Sequence, residues 1–197
     1  MANHNLKNKK GWVELITGCM FAGKTDEFIR RINTFTYAGF NVFVFKPAID
    51  KRYSEAEIVS HAGAKLKAIA VSSSNEIEKI VVDTKEKIDV IGIDEVQFID
   101  TNIVNLIEEF ANRGIIVVVN GLDKDFKSDP FQNVDKILVQ AEYVKKLSAI
   151  CHECGGNANR TQRIVNGKPA RKDEPIILVS GNDHYEARCR HCYIKPE

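Results

Sequence analysis

Nine consecutive residues, Thr17-Gly18-Cys19-Met20-Phe21-Ala22-Gly23-Lys24-Thr25, carry the most specific chemistry in the chain. From Gly18 to Thr25 they satisfy the spacing G-x-x-x-x-G-K-[ST]. In that pattern the glycines let backbone N–H groups converge on phosphate oxygens, the lysine offers a mobile cation to the β- and γ-phosphates, and the hydroxyl ligates Mg²⁺. The reading is an ATP-phosphate loop built from Gly18, Cys19, Met20, Phe21, Ala22, Gly23, Lys24 and Thr25. Cys19 reads as a small residue packed beneath the loop rather than as a catalytic thiol.

Such a loop needs acids nearby. Asp94 and Glu95 end the apolar run Ile88-Asp89-Val90-Ile91-Gly92-Ile93, and the carboxyl end of a parallel strand is where an acid orients Mg²⁺. Successive strand residues point to opposite faces, so both carboxylates reach one site only if the strand ends there. Val96-Gln97-Phe98 reads as that turn. Asp94 is then the metal's acid, together with Thr25. Glu95 takes a proton from whatever attacks the γ-phosphate, and Gln97 reaches the metal's water or a phosphate.

Four of the five cysteines form two C-x-x-C pairs, Cys151/Cys154 and Cys189/Cys192, separated by the 34 residues from Gly155 to Arg188. Four thiolates in two knuckles describe a closed, structural zinc site, one that does not activate water. His152 and His191 lie inside the knuckles and either could replace a cysteine; four sulfurs are the simpler set. A weaker signal is Gly121-Leu122-Asp123-Lys124-Asp125-Phe126, which follows the most apolar run, Ile115 to Asn120. A loop there lines the ligand crevice. Leu122 faces the crevice, and Phe126 either stacks on a flat ligand or packs in the core.

The elements that hold these residues alternate. Strands are expected at Gly11–Ile16, Asn41–Pro47, Lys67–Val71, Ile88–Glu95 and Ile115–Gly121. Helices are expected after Thr25, over Ser74–Val82 with Ser73 as cap, and over Asn102–Asn112. A helix and then a strand follow over Lys136–Leu147, and a loop or hairpin runs from Ala48 to about Gly63. Strand–helix alternation means a parallel sheet with helices on both faces. The division expected is a polar, disordered leader over 1–10, an α/β domain over 11–150, and a metal-held subdomain over 151–197, too small for a strong core of its own.

The chain has 197 residues, 44% of them hydrophobic, and 28 basic against 27 acidic side chains for a net charge of +1. That balance argues against a nucleic-acid backbone as partner. No apolar run approaches a membrane span, and residues 1–10 lack the apolar core of a secretory signal. A cytoplasmic protein with reduced thiols is the expectation.

Taken in order, these motifs resemble the type II thymidine kinases of bacteria and the vertebrate cytosol. The match rests on Gly18 to Thr25, Asp50-Lys51-Arg52-Tyr53, Asp94-Glu95-Val96-Gln97-Phe98, Gly121-Leu122-Asp123, Phe126, both cysteine pairs and Tyr185. The resemblance implies a P-loop NTPase-like domain and a zinc-held loop, or lasso, closing over thymidine. It implies Glu95 as the base for the thymidine 5′-hydroxyl, with Met20 beside the methyl group of the base and Phe126 and Tyr185 against the nucleoside. Backbone groups of Ile176, Ile177, Leu178, Val179 and Ser180 would read the thymine edge, while Asp50, Lys51 and Arg52 would lie near the phosphates. Homotetramers and feedback inhibition by dTTP are implied as well. Lys51, Val96 and Ser180 depart from the commonest residues of that pattern, and none removes a chemical group.

Two other readings fit parts of the set. An ATPase acting on nucleic acid could use Glu95 to activate water and a zinc ribbon to grip DNA. A non-catalytic ATP- and zinc-binding module would have no need of Lys24, Thr25, Asp94 and Glu95 together.

Overall fold

The computed structural model describes residues 11–48, 57–60, 63–176 and 184–197. The leader over 1–10, Asp50 to Arg52 and Ile177 to Ser180 lie outside the described residues.

Strand β1 (Trp12–Gly18) leads into helix α1 (Lys24–Tyr37), and β2 (Val42–Pro47) follows. Next come a short hairpin, β3 (Glu57–Val59) and β4 (Lys65–Lys67), then β5 (Ile69–Val71), α2 (Ser74–Asp83) and β6 (Val90–Ile93). A 3₁₀ turn (Val96–Phe98), α3 (Ile103–Asn112), β7 (Ile116–Leu122), α4 (Val134–Gln140) and β8 (Tyr143–Leu147) complete the larger unit. Six strands form one sheet in the order β5-β2-β6-β7-β1-β8, every neighbouring pair parallel. The fold class expected from the alternation is the one observed.

The sheet is buried on both faces, which is why its central strands are apolar without alternation. Val117 and Val119 of β7 join Leu15, Ile91 and Ile93 under α2, α3 and α4, with Ile77, Ile107, Phe110 and Ile137 packed above them. Ile116 and Val118, one residue out of phase, join Val44 and Val90 under Phe28, Ile29, Ile32 and Phe35 of α1. The spacing of those four α1 residues makes one apolar helix face.

Local signals also act as the sequence suggests. The Ser73 side chain accepts from Glu76 N at 3.3 Å, while the Glu76 carboxylate returns to Ser72 N at 2.8 Å, one residue earlier than in the standard box. The expected hairpin reaches Lys67 rather than Gly63. Its turn is closed by Ser60 N to Ala64 O and Gly63 N to Ser60 O, both 2.9 Å, so β4 takes residues 65–67 and β5 starts only at Ile69.

From Ala149 the chain changes to short antiparallel pieces. Strands β9 (Ala149–Ile150) and β10 (Asn157–Ala158) flank the first cysteine knuckle. Strands β11 (Arg160–Val165), β12 (Lys168–Pro169) and β13 (His184–Arg188) make a sheet in the order β12-β11-β13, and the second knuckle follows β13.

Candidate active site

The carboxyl ends of β1, β6 and β7 meet at one edge of the sheet, and each delivers part of the site. Gly18 ends β1 between Leu122 of β7 and Leu147 of β8. A Cβ on Gly18 would stand 2.4 Å from the Leu147 carbonyl oxygen, so only glycine lets the loop begin there. The loop closes at Gly23, whose φ of 76° is left-handed and whose position is the cap of α1. Phe21, half exposed at 51%, also has a positive φ of 64°. The N-terminal turn of α1 thus aims its free N–H groups at the loop's centre. Lys24 is buried, and its Nζ donates to Cys19 O at 3.0 Å, which holds the cation over the loop backbone.

Asp94 follows β6 immediately, and the chain turns so sharply that Glu95 adopts φ 47°, ψ 47°. This left-handed residue brings the two adjacent carboxylates close enough to interact. Asp94 is 6% exposed and accepts from Asn120 Nδ2. Burial first, and the neighbouring Glu95 carboxylate second, push it up to about 8; the Asn120 amide, the Glu95 backbone and the Lys24 ammonium pull against that. A buried carboxylate in this state is short of positive charge, and a divalent cation shared with the partly buried Thr25 hydroxyl fits the donor set.

Gln97 is held by the protein at both ends of its amide. It is 3% exposed, its Nε2 donates to a Glu95 carboxylate oxygen, and its Oε1 accepts from Leu122 N at 3.2 Å. Its amide is used at both ends, so it ties Glu95 to the end of β7. Two further polar groups stand at the carboxyl end of β7. Asn120 lies on β7 and is fully buried. Asp123, whose N–H donates to Gly18 O at 3.4 Å, holds Lys124 at 2.7 Å and Lys146 at 2.9 Å. Burial opposes ionisation of Asp123, but those two lysines outweigh it and keep its carboxyl below the usual value. A polar residue in the most apolar strand was a visible sign of Asn120; nothing local marked the lysine pair.

The four paired cysteines come together. Their sulfurs all lie within 4.8 Å of one another, with Cys154 Sγ and Cys189 Sγ 3.7 Å apart. Tetrahedral zinc with Zn–S bonds of about 2.3 Å sets sulfurs about 3.8 Å apart, so the cluster fits that ion. The charges fit it too. Burial opposes ionisation of Cys151, yet backbone N–H groups of Cys189, Cys154 and Glu153 draw it down to about 6, while the neighbouring Cys189 and Cys154 thiols push Cys192 up to about 12. Four sulfurs so close need a cation to be thiolates together. Neither knuckle histidine is among them; His152 sits instead beside Glu153 and Glu186.

The four-cysteine unit is packed against the loop from Gly18 to Gly23. Cys19 and Ala22 share one apolar cluster with Cys151, Cys189, Ala158 and Ala187. Cys19 Sγ lies 3.4 Å from Ala158 O, and Met20 N donates to Thr161 Oγ1 at 3.1 Å. Burial raises the Cys19 thiol above its ordinary value, in keeping with a packed residue and not a nucleophile. Phe126 is 3% exposed; the Arg163 guanidinium lies 5.2 Å from its ring centre, and Tyr193 donates to its carbonyl at 2.6 Å. Leu122 ends β7 partly buried, Tyr185 is partly buried on β13, and Ile176 is 44% exposed. Two hollows, of about 540 and 710 Å³, lie away from this edge: one among Trp12, Phe40, Val81 and Arg113 at the amino ends of the strands, one beside Phe43 and Ala68. Neither is lined by any residue of the site.

A family model described as thymidine kinase matches residues 11–193. A thymidine kinase of Mycoplasma capricolum subsp. capricolum is 61% identical over 192 residues, which cover 96% of this chain and 92% of that protein. One from Mesoplasma florum is 62% identical over 185 residues, covering 93% and 91%. Among solved structures, the flagellar accessory protein FlaH from Methanocaldococcus jannaschii is similar at 17% identity with a TM-score of 0.45, over 81% of this chain and 75% of that one.

Proposed function

Because the chain belongs to the thymidine kinase family and is an ATP-dependent nucleoside kinase, we propose that it transfers the γ-phosphoryl group of ATP to the 5′-hydroxyl of thymidine. The products are dTMP and ADP, in a salvage route to DNA precursors. The observation that carries the mechanism is the convergence of the phosphate loop with Asp94 and Glu95 at one sheet edge.

In this reading the loop N–H groups and Lys24 hold the β- and γ-phosphates and withdraw charge from the bridging oxygen. Thr25 and Asp94 hold Mg²⁺, which when bound neutralises charge on the phosphate oxygens. Glu95, oriented by Gln97, accepts the 5′-hydroxyl proton as the new P–O bond forms in line and the β–γ bridging bond breaks toward ADP. Asp50, Lys51 and Arg52 contribute near the phosphates. Met20, Leu122, Phe126 and Tyr185 form the nucleoside wall, and backbone groups over Ile176, Ile177, Leu178, Val179 and Ser180 read the thymine edge. Zinc on Cys151, Cys154, Cys189 and Cys192 fixes the ends of that 151–197 unit, against an 11–150 domain that binds ATP. The thiolates it requires suit the cytoplasm. We further infer a homotetramer inhibited by dTTP.

ATP consumption with Mg²⁺, alone and with thymidine, deoxycytidine or single-stranded DNA, tests the reading. Turnover that follows thymidine is expected. Turnover driven by DNA with nucleosides inert would replace this reading with an ATPase in which Glu95 activates water.

A further inference from the structure

Arg163, on β11, is 0% exposed and is the largest fully buried side chain among the described residues. Burying a guanidinium is unfavourable unless it is paired and hydrogen-bonded. Arg163 meets that condition with groups from separate parts of the chain. Its Nη1 donates to Pro175 O at 2.6 Å, and its Nη2 lies 3.2 Å from Glu174 Oε2. Its Cζ sits 5.2 Å from the centre of the Phe126 ring. Arg163 is also directly opposite Tyr185 in the antiparallel β11–β13 pair, which puts both side chains on one face of that sheet.

These neighbours share one property. Phe126 and Tyr185 are the aromatic residues assigned above to the nucleoside, and Glu174-Pro175 immediately precede Ile176, where the thymine-reading backbone begins. A hydrophobic residue of similar volume would fill the same space without a charge to compensate. What only arginine supplies is a planar fork with fixed donor directions and a face that lies against a ring. The fork fixes where Glu174 and Pro175 stand relative to Phe126.

We propose that Arg163 is a positioning residue for the nucleoside. It holds Phe126 and the Glu174–Pro175 backbone in register, and so sets nucleoside affinity while leaving ATP binding alone. The inference rests on the kinase reading above.

The test is steady-state kinetics of the full, zinc-loaded chain, with thymidine varied at saturating ATP and ATP varied at saturating thymidine. Arg163→Met removes the charge and the fork, Arg163→Lys keeps the charge without the fork, and Glu174→Gln removes the counter-charge. The expected result is a thymidine KM raised roughly tenfold or more in both Arg163 variants and about threefold in Glu174→Gln, with ATP KM within about twofold of wild type. The double variant Arg163→Met/Glu174→Gln should be no worse than Arg163→Met, because both changes break one linkage. Parallel rises in both KM values, or a thymidine KM within about twofold of wild type in folded variants, overturn the proposal. Unfolding temperature and zinc content establish folding. If neither Arg163 variant folds, Glu174→Gln decides, since that carboxylate is partly exposed at 24%. The wild type in the same assay separates the two levels. No thymidine-dependent ADP release would overturn the kinase reading itself, whereas wild-type turnover with unmoved variants overturns only the role of Arg163.

Discussion

Replacing Asp94 by asparagine should make the metal-free protein more stable and leave it inactive. Asp94 is 6% exposed, and burial together with the Glu95 carboxylate pushes it up to about 8. In the unfolded chain the same group releases its proton near pH 4. Between those values the folded protein keeps a proton that the unfolded chain has lost. The folded state is therefore favoured at low pH, and that advantage drains away as pH rises to about 8. Some four pKa units at about 1.4 kcal/mol each give a ceiling of about 6 kcal/mol. Structural relaxation and water entry reduce such penalties, so about 1–3 kcal/mol is the expected gain for Asp94→Asn above pH 8. The new amide also brings a donor beside Asn120, whose Oδ1 is buried without a hydrogen-bond partner.

Thermal unfolding of both proteins from pH 5 to pH 9, with and without Mg²⁺ and ATP, reads this directly. At about 2–4 °C per kcal/mol for a chain of this size, Asp94→Asn should unfold roughly 2–12 °C higher at pH 9. The gap should narrow steadily toward pH 5. Adding Mg²⁺ and ATP should raise the wild type and do little for the variant. A variant less stable than wild type at pH 9 without metal would refute the account, because Asp94 would then be stabilising the fold rather than waiting for a cation.

Three further substitutions probe the rest of the site. Glu95→Gln should lower kcat by roughly 10²–10⁴-fold with ATP binding nearly unchanged, measured by turnover and nucleotide titration; a rate near wild type removes Glu95 as base. Gln97→Leu strips one hydrogen bond each from Glu95 and Leu122 N, and should cost about 1–3 kcal/mol in denaturant unfolding while lowering kcat roughly tenfold; unchanged kcat would mean Glu95 needs no support. Cys154→Ala should abolish zinc by metal analysis and weaken the nucleoside by roughly tenfold or more, with ATP weakened too, since the zinc unit packs on Cys19 and Ala22; an unmoved ATP KM would show that packing to be incidental.

What was legible in the sequence was what depends on spacing within a few residues. Gly18 to Thr25 reads as a phosphate loop because its geometry is local, and the helix and strand that flank it announce themselves by period. The two cysteine pairs read as one site because thiolates have few other reasons to recur in that form. Asp94 and Glu95 were visible at a strand end, though not the left-handed turn at Glu95 that makes the pairing work. Gln97 was visible as a polar residue next to two acids, whereas its second partner, Leu122 N, comes only with the approach of β7. Arg163 was not legible at all. In the run Arg160-Thr161-Gln162-Arg163 it resembles any residue of a solvated strand, and its partners lie at Phe126, Glu174 and Pro175. Its burial is decided by tertiary contacts that no window of sequence contains.

Those contacts give the four-cysteine unit a second role. A metal staple alone would explain how some 45 residues avoid needing a core of their own, and it would leave the unit free to sit anywhere. Here the phosphate loop is gripped from both sides. Thr17 Oγ1 donates to Gly121 O at 2.9 Å within the large sheet, while Met20 N donates to Thr161 Oγ1 and Cys19 packs on the knuckles of the small unit. Ordering a loop at the moment of binding costs conformational entropy that would be subtracted from affinity. A loop already fixed by two separate structures meets its phosphates without that cost. Phe126 is tied to the same small unit through Arg163 and Tyr193, so in the proposed reaction one wall would brace the ATP loop and the nucleoside together. In-line transfer needs the two reactants held within a fraction of an ångström of each other, and a shared wall is the economical way to hold them so.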